Sequence, residues 1–148
     1  MMNYAPYRLS EGLVLEESGS LLPWFRSLEQ LAGKGGKPLP EKGKHTQLFW
    51  ETDAVFGGMN VSVQAMERGL GIFFLDLKNG EKFESAKLEY EAVLQILKAK
   101  FGEPAEAGSD DYGYPWVRWR WGEVCVNLAL AERFMDYVAL SVSNGVVS

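Results

Sequence analysis

The chain is short of the residues that most often carry chemistry. Of its 148 residues one is a cysteine, Cys125, and one is a histidine, His45. A single thiol excludes an intrachain disulfide and any zinc site built on several thiolates. A lone histidine leaves a Ser-His-Asp or Cys-His site one position to use, and His45 falls in a Gly/Pro/Lys-rich stretch with the character of a loop. Basic residues are in the minority as well, 15 Lys and Arg against 20 Asp and Glu for a net charge of −5. Nucleic-acid binders generally present a basic face that displaces counterions, so nucleic acid is not an expected partner. No apolar run approaches the ~20 residues of a bilayer span, and no membrane association is expected. The opening Met1-Met2-Asn3-Tyr4-Ala5-Pro6-Tyr7-Arg8 lacks the basic and apolar regions of a signal peptide. Cytoplasmic location is the expectation.

What is present is an ordinary globular composition. A hydrophobic fraction of 47% and a charged fraction of 24% suit one folded domain over residues 1–148, long enough for a single core. Five Trp, six Tyr and eight Phe are enough rings to fill a core between sheet and helix or to furnish a binding surface.

Two segments carry helical periodicity. Leu21, Trp24, Phe25, Leu28, Leu31 and Ala32 recur at steps of three and four, with Ser20 as a cap and Gly33 as a stop. A second helix is predicted from about Ser85 to Phe101, with Tyr90, Val93, Leu94, Leu97 and Phe101 on one face and Gly102 and Pro104 closing it. Elsewhere the period is two. Val61/Val63/Ala65, Phe73/Leu75/Leu77, Val117/Trp119/Trp121, Val126/Leu128/Leu130 and Val138/Leu140/Val142 each alternate with their neighbours, as half-buried antiparallel strands do. A further strand is expected around Tyr7 to Glu16.

The two halves correspond. Leu28, Gly33 and Trp50 match Leu97, Gly102 and Trp119 at one offset. After a change around Ala54 to Gly57, Val61, Glu67, Arg68 and Leu75 match Val126, Glu132, Arg133 and Leu140 at another. The expected fold is therefore α+β and internally duplicated, with pseudo-repeats at about 20–80 and 89–145. Each half would hold one amphipathic helix and about three antiparallel strands, with both helices on one face of the sheet. The helix-to-strand loops differ in charge: Gly33 to Thr46 carries Lys34, Lys37, Lys42 and Lys44, whereas Gly102 to Pro115 carries Glu103, Glu106, Asp110 and Asp111 and no base. A helix ending in Phe101-Gly102-Glu103-Pro104, followed by a Trp-bearing strand at Trp119 and two more strands, resembles the repeats of β-lactamase-inhibitor-protein-like folds. That resemblance implies binding of another protein through an open sheet face and its loops.

No catalytic constellation emerges. Gly33-Lys34-Gly35-Gly36-Lys37 follows a predicted helix instead of preceding one, and Pro38 stands where a phosphate loop needs Ser or Thr. Asp110 and Asp111 lack the spacing of a calcium loop, so no metal or other cofactor is expected. Cys125 lies on the opposite parity from Val126 and Leu128 and reads as a half-buried thiol. By the same parity, Phe49, Glu51, Asp53, Ser62, Gln64, Ile72 and Phe74, together with Arg118, Arg120, Asn127 and Tyr137, should face away from the helices. Of these, Phe49, Glu51, Asp53, Phe74, Arg118, Arg120 and Tyr137 form the candidate binding set, because aromatics and arginine dominate protein interfaces. The leading expectation is a small protein-binding protein, such as an inhibitor or a toxin-neutralising immunity protein. The alternatives are a ligand-binding or hydrolytic domain built on Glu51, Asp53, Asp76 and Arg118, and a homodimer or larger homo-oligomer that covers its own sheet.

Overall fold

The computed structural model describes residues 5–38, 47–66, 71–77, 83–132 and 136–145. A turn of 3-10 helix at Pro6–Arg8 leads into a hairpin of β1 (Gly12–Leu15) and β2 (Ser20–Pro23), then α1 (Leu28–Ala32). Strands β3 (Lys37–Pro38), β4 (Gln47–Val55), β5 (Met59–Met66) and β6 (Ile72–Leu77) follow, then α2 (Ala86–Phe101). The chain ends with β7 (Glu106–Ser109), β8 (Pro115–Trp121), β9 (Val124–Glu132) and β10 (Asp136–Asn144). Eight strands form one antiparallel sheet in the order β3-β4-β5-β6-β10-β9-β8-β7.

The hairpin, α1 and α2 join one face of this sheet in a single core. Leu13, Leu15 and Leu22 of the hairpin, Leu28 and Leu31 of α1, and Tyr90, Val93 and Leu97 of α2 are buried with Val61, Val63, Phe73, Trp119, Val126, Leu128 and Val142 of the sheet. Each such side chain withdrawn from water contributes roughly 1.5–3 kcal/mol before chain entropy is counted. Trp24 packs on Phe73 with ring centroids 5.5 Å apart. Its indole donates to the Leu9 carbonyl at 2.7 Å, so the polar edge of the buried ring is satisfied.

The expected pair of helix-plus-sheet halves does not form. About 50% of the described residues lie in strands and 20% in helical turns, and only one of the two helices is long. Where a first helix from Ser20 to Gly33 was expected, Ser20–Pro23 pairs with β1 instead, and helix begins only at Leu28. The cause is local. Phe25 adopts a left-handed φ of 59°, which an α-helix excludes. Ser27 then starts a fresh helix with a capping box, its hydroxyl accepting from Gln30 N and the Gln30 side chain accepting from Ser27 N. Gly12 makes the hairpin possible, since a Cβ there would meet the Leu22 carbonyl at 2.1 Å. The covering of the sheet is therefore unequal: a hairpin and a single turn near β4, and a 16-residue helix over β9 and β10. What does recur at the 65-residue spacing is pairing, for Val61 opposes Leu77 as Val126 opposes Val142, and Val63 opposes Leu75 as Leu128 opposes Leu140.

The second helix begins and ends where its caps predict. Ser85 accepts from Leu88 N, and Gly102, at φ 82°, donates to the Lys98 carbonyl. Besides β2, two strands went unforeseen. Both β3 and β7 lie in segments expected to be loops, and each forms an outer edge of the sheet.

Candidate functional site

Because the hairpin and both helices lie on one side, no layer of the described residues covers the opposite face of the sheet. Its composition follows from register. One row crosses all eight strands: Lys37 opposes Phe49, Phe49 opposes Gln64, and Gln64 opposes Phe74. The row continues through Ser141, Asn127 and Arg118 to Glu106. Directly opposed residues share a face, so these side chains form one line. At about 4.8 Å per strand step the line is roughly 34 Å wide. The row is aromatic towards β4 and β6, and polar and charged towards β8 and β7.

The polar end is a connected network. Glu106 accepts from Arg118 Nη1 at 3.1 Å through one carboxylate oxygen and from Arg120 Nε at 3.0 Å through the other. Arg118 Nε donates to Asn127 Oδ1 at 2.7 Å, and the Asn127 amide donates to Ser141 and Ser143 hydroxyls at 3.4 and 3.3 Å. The Arg120 hydrogen bond, with the charges of both arginines, holds the Glu106 carboxyl below its ordinary range against some desolvation. Cys125 sits opposite Arg120 on β9 and is fully buried, and that burial raises its thiol above the ordinary value. Burial thus favours the protonated form of this thiol beneath the network, against the pull of the two arginines.

Beside this line runs a row of small residues. Trp116 opposes Ala129, and Ala129 opposes Ala139. The Trp116 indole lies against Gly108 of β7, where a Cβ would come within 2.8 Å of the ring, and the Arg118 guanidinium stands 5.5 Å from its centre. With only methyl groups between the flanking side chains, the face sinks into two depressions. One, of about 400 Å³, is lined by Ile72, Trp116, Arg118, Asn127, Ala129 and Ser141. The other, of about 300 Å³, is lined by Gln64, Met66, Phe74, Asp76, Tyr137 and Ala139. Phe74 and Tyr137 stand 38% and 45% exposed at its rim.

Of the candidate residues, Phe49, Phe74 and Arg118 thus share one row, with Arg120 and Tyr137 on the same face to either side. Asp53 does not belong there. A bulge between Trp50 and Asp53 shifts the register, so Asp53 opposes the buried Val61 and turns to the covered side. It is 4% exposed, and its Oδ1 accepts from Glu17 N and Ala54 N, each at 2.8 Å, tying the hairpin to β4. Glu51 stands exposed in the bulge. With Asp53, Lys34 and Lys37 it lines a separate depression of about 390 Å³ near the β3 edge. The carboxylate site imagined from Glu51, Asp53, Asp76 and Arg118 is therefore dispersed, since β4 and β8 are five strand steps apart, about 24 Å. His45, Lys42, Lys44, Glu67, Arg68 and Arg133 lie outside the described residues. Among the described residues no three His, Cys, Asp or Glu side chains gather as metal ligands, and no helix is long and apolar enough to cross a membrane.

The part missed by parity alone is the Glu106 anchor. A segment written Glu106-Ala107-Gly108-Ser109 has no apolar alternation to mark it as a strand. Its one signal was the Glu106 charge facing two arginines of the same parity on β8. No protein-family model, curated protein or solved structure matches the chain.

Proposed function

We propose that the chain is a protein-binding module that blocks or sequesters a partner seated on its open sheet face. The observation that carries this reading is the continuous row from Phe49 through exposed Phe74 to Glu106, with exposed Tyr137 beside it, on the side that neither hairpin nor helices cover. Aromatic and arginine side chains fixed on strands lose little entropy on binding, and such residues supply most interface energy. A face roughly 34 Å across, with central strands about 20–30 Å long, matches the ~800 Å² that each partner buries in a standard interface. The resemblance at Phe101 to Pro104 and Trp119 supports protein binding through this face, and the mode of action proposed is that of an inhibitor or immunity protein. Separation of Glu51 and Asp53 on β4 from Arg118 on β8 counts against a hydrolytic site built on Glu51, Asp53, Asp76 and Arg118 together.

The test is a pull-down from native lysate with three baits: the natural chain, the double variant Phe74→Ser/Tyr137→Ser, and Gln95→Ala on the exposed side of α2. A stoichiometric partner held by the first and third and lost by the second is the expected result. Recovery of no partner by a folded bait, or equal recovery by the double variant, overturns the reading. Light scattering that gives a dimer split by the same double variant would replace the external partner with a second copy of the chain.

A further inference from the structure

The polar end of the row has an unequal charge count. One carboxylate, Glu106, serves two guanidiniums. Arg118 uses Nε and Nη1, and Arg120 uses Nε. Among the described residues no acceptor meets Arg118 Nη2 or either terminal nitrogen of Arg120. The two side chains leave the same strand face two residues apart, about 7 Å. Arg118 is the more enclosed, its side chain 23% exposed against 36% for Arg120. Arg118 lines the 400 Å³ depression that opens over Ala129, walled by Trp116 and Ile72, and Arg120 stands next to Arg118 on the side away from Trp116. Unused guanidinium donors thus adjoin an apolar slot with an aromatic wall.

Resting on the reading of this face as a partner-binding surface, we infer that the partner's anchoring contact is an apolar side chain with a carboxylate beside it. The ring or aliphatic chain lies in the Trp116/Ala129/Ile72 slot, and the carboxylate takes the free donors of Arg118 and Arg120. Three features select this occupant. Among the described residues the network sets two guanidiniums against one carboxylate, although the chain as a whole is acidic, so an anion is favoured here specifically. Guanidinium geometry suits a carboxylate in two-point contact, and the Glu106 and Asn127 bonds hold both forks in place before the partner arrives. The slot is floored by Ala129, a methyl group between larger neighbours, so it accepts a side chain without displacing one. A basic partner segment would meet the arginines as like charges, and a purely apolar one would leave their donors to water.

The site can be probed without knowing the partner. The intact protein, isotopically labelled, is titrated with N-acetyl-phenylalanine, with its neutral amide, and with acetate, and the Trp116 indole N–H and Arg120 Nε–H signals are followed by NMR. The expected result is saturable movement of both signals with N-acetyl-phenylalanine at millimolar concentration. The response should be about two- to fivefold weaker with the amide, the worth of one exposed charged contact, and weaker also with acetate, which has no group for the slot. Arg120→Gln, a change at an exposed position, should weaken the carboxylate probe by a similar factor while the rest of the spectrum keeps the native dispersion. No movement at either signal, an equal response to the amide or to acetate, or undiminished binding by Arg120→Gln overturns the inference. Because the probe is a defined small molecule, this outcome is independent of whether the lysate contains a partner. A partner retained by Arg120→Gln yet lost by Phe74→Ser/Tyr137→Ser would overturn the inference and leave the broader reading standing.

Discussion

Trp50 on β4 and Trp119 on β8 occupy corresponding places in the two halves of the sheet, and their surroundings differ in an instructive way. Each indole donates to a carbonyl just past a helix, Trp50 to Lys34 at 3.2 Å and Trp119 to Gly102 at 2.8 Å. Trp119 lies under Phe101, with ring centroids 6.0 Å apart, at the end of a four-turn helix. Trp50 instead lies against Gly36, where a Cβ would sit 2.6 Å from its ring, and the cover nearby is a hairpin with one helical turn. A sheet needs its apolar face covered, yet the cover need not be the same element. The same tryptophan can bind the cover by one hydrogen bond and one close contact, whether that contact is to a phenyl ring or to bare backbone.

Removal of the two rings tests that comparison with the largest effects. Trp119 is 1% exposed and Trp50 is 6% exposed. Replacement of either by alanine leaves a cavity and orphans a carbonyl, and large aromatic truncations in cores cost about 3–5 kcal/mol. Trp119→Ala should fall at the upper end. Trp50→Ala should fall at the lower end, because its glycine contact can close over the gap and its hydrogen bond is longer. Urea denaturation with coincident fluorescence and circular dichroism transitions measures both. Equal losses would mean that the two covers grip the sheet equally.

Asp53 supplies the next effect, confined to the half covered by the hairpin. Asp53→Ala leaves Glu17 N and Ala54 N without their acceptor, a penalty of about 1–3 kcal/mol for buried donors. Hydrogen exchange should quicken at Glu17 and in β1 and β2 while α2 keeps its protection. If protection drops uniformly, the hairpin is not a separable cover and the contrast between the halves is lost.

How much of this was legible from residues alone divides along the same line. The α2 half could be read because its signals agree: a serine cap, a 3.6-residue apolar stripe, a glycine stop, then strands of clean alternation. The hairpin half could not, because Leu21, Trp24, Phe25, Leu28 and Leu31 fit a helical stripe by spacing while Pro23 and the left-handed Phe25 break the backbone that would use it. Spacing picked out Trp24, Leu28 and Leu31 as buried but not the element that buries them, and it misjudged Phe25, which is 56% exposed. Parity likewise found Phe49, Phe74, Arg118, Arg120 and Tyr137 on the open face but misplaced Asp53, since a single bulge inverts every assignment beyond it. Strands β3 and β7 were hidden because an edge strand buried on neither face has no alternation to show.

The caps should give smaller and unequal effects. Ser85→Ala removes the acceptor for Leu88 N in a helix anchored by Tyr90, Val93 and Leu97, and should cost about 1 kcal/mol. Ser27→Ala removes half of a capping box from a five-residue helix, which has little else to hold its first turn. Its cost to global stability should be similar or less, but local exchange at Gln30 and Leu31 should rise more than at any α2 amide, because a single turn pays nucleation without propagation.

The smallest effect belongs to the open face, and its signature is a pH dependence instead of a large loss. In the folded chain the Glu106 carboxyl titrates below its ordinary range because Arg120 and Arg118 bond to the charged form. A carboxyl depressed on folding stabilises the native state fully above its unfolded value, about pH 4.3. That contribution disappears as the pH falls through the lower folded value. Glu106→Gln should therefore lie slightly below the natural chain in stability at pH 7, and the two curves should converge as the pH is lowered from 5 towards 3. High salt should narrow the gap at pH 7, since Glu106 is in contact with solvent. Curves that stay parallel through the acid range would mean that the arginines take no net stabilisation from Glu106, leaving positional restraint of their side chains as its remaining role on that face.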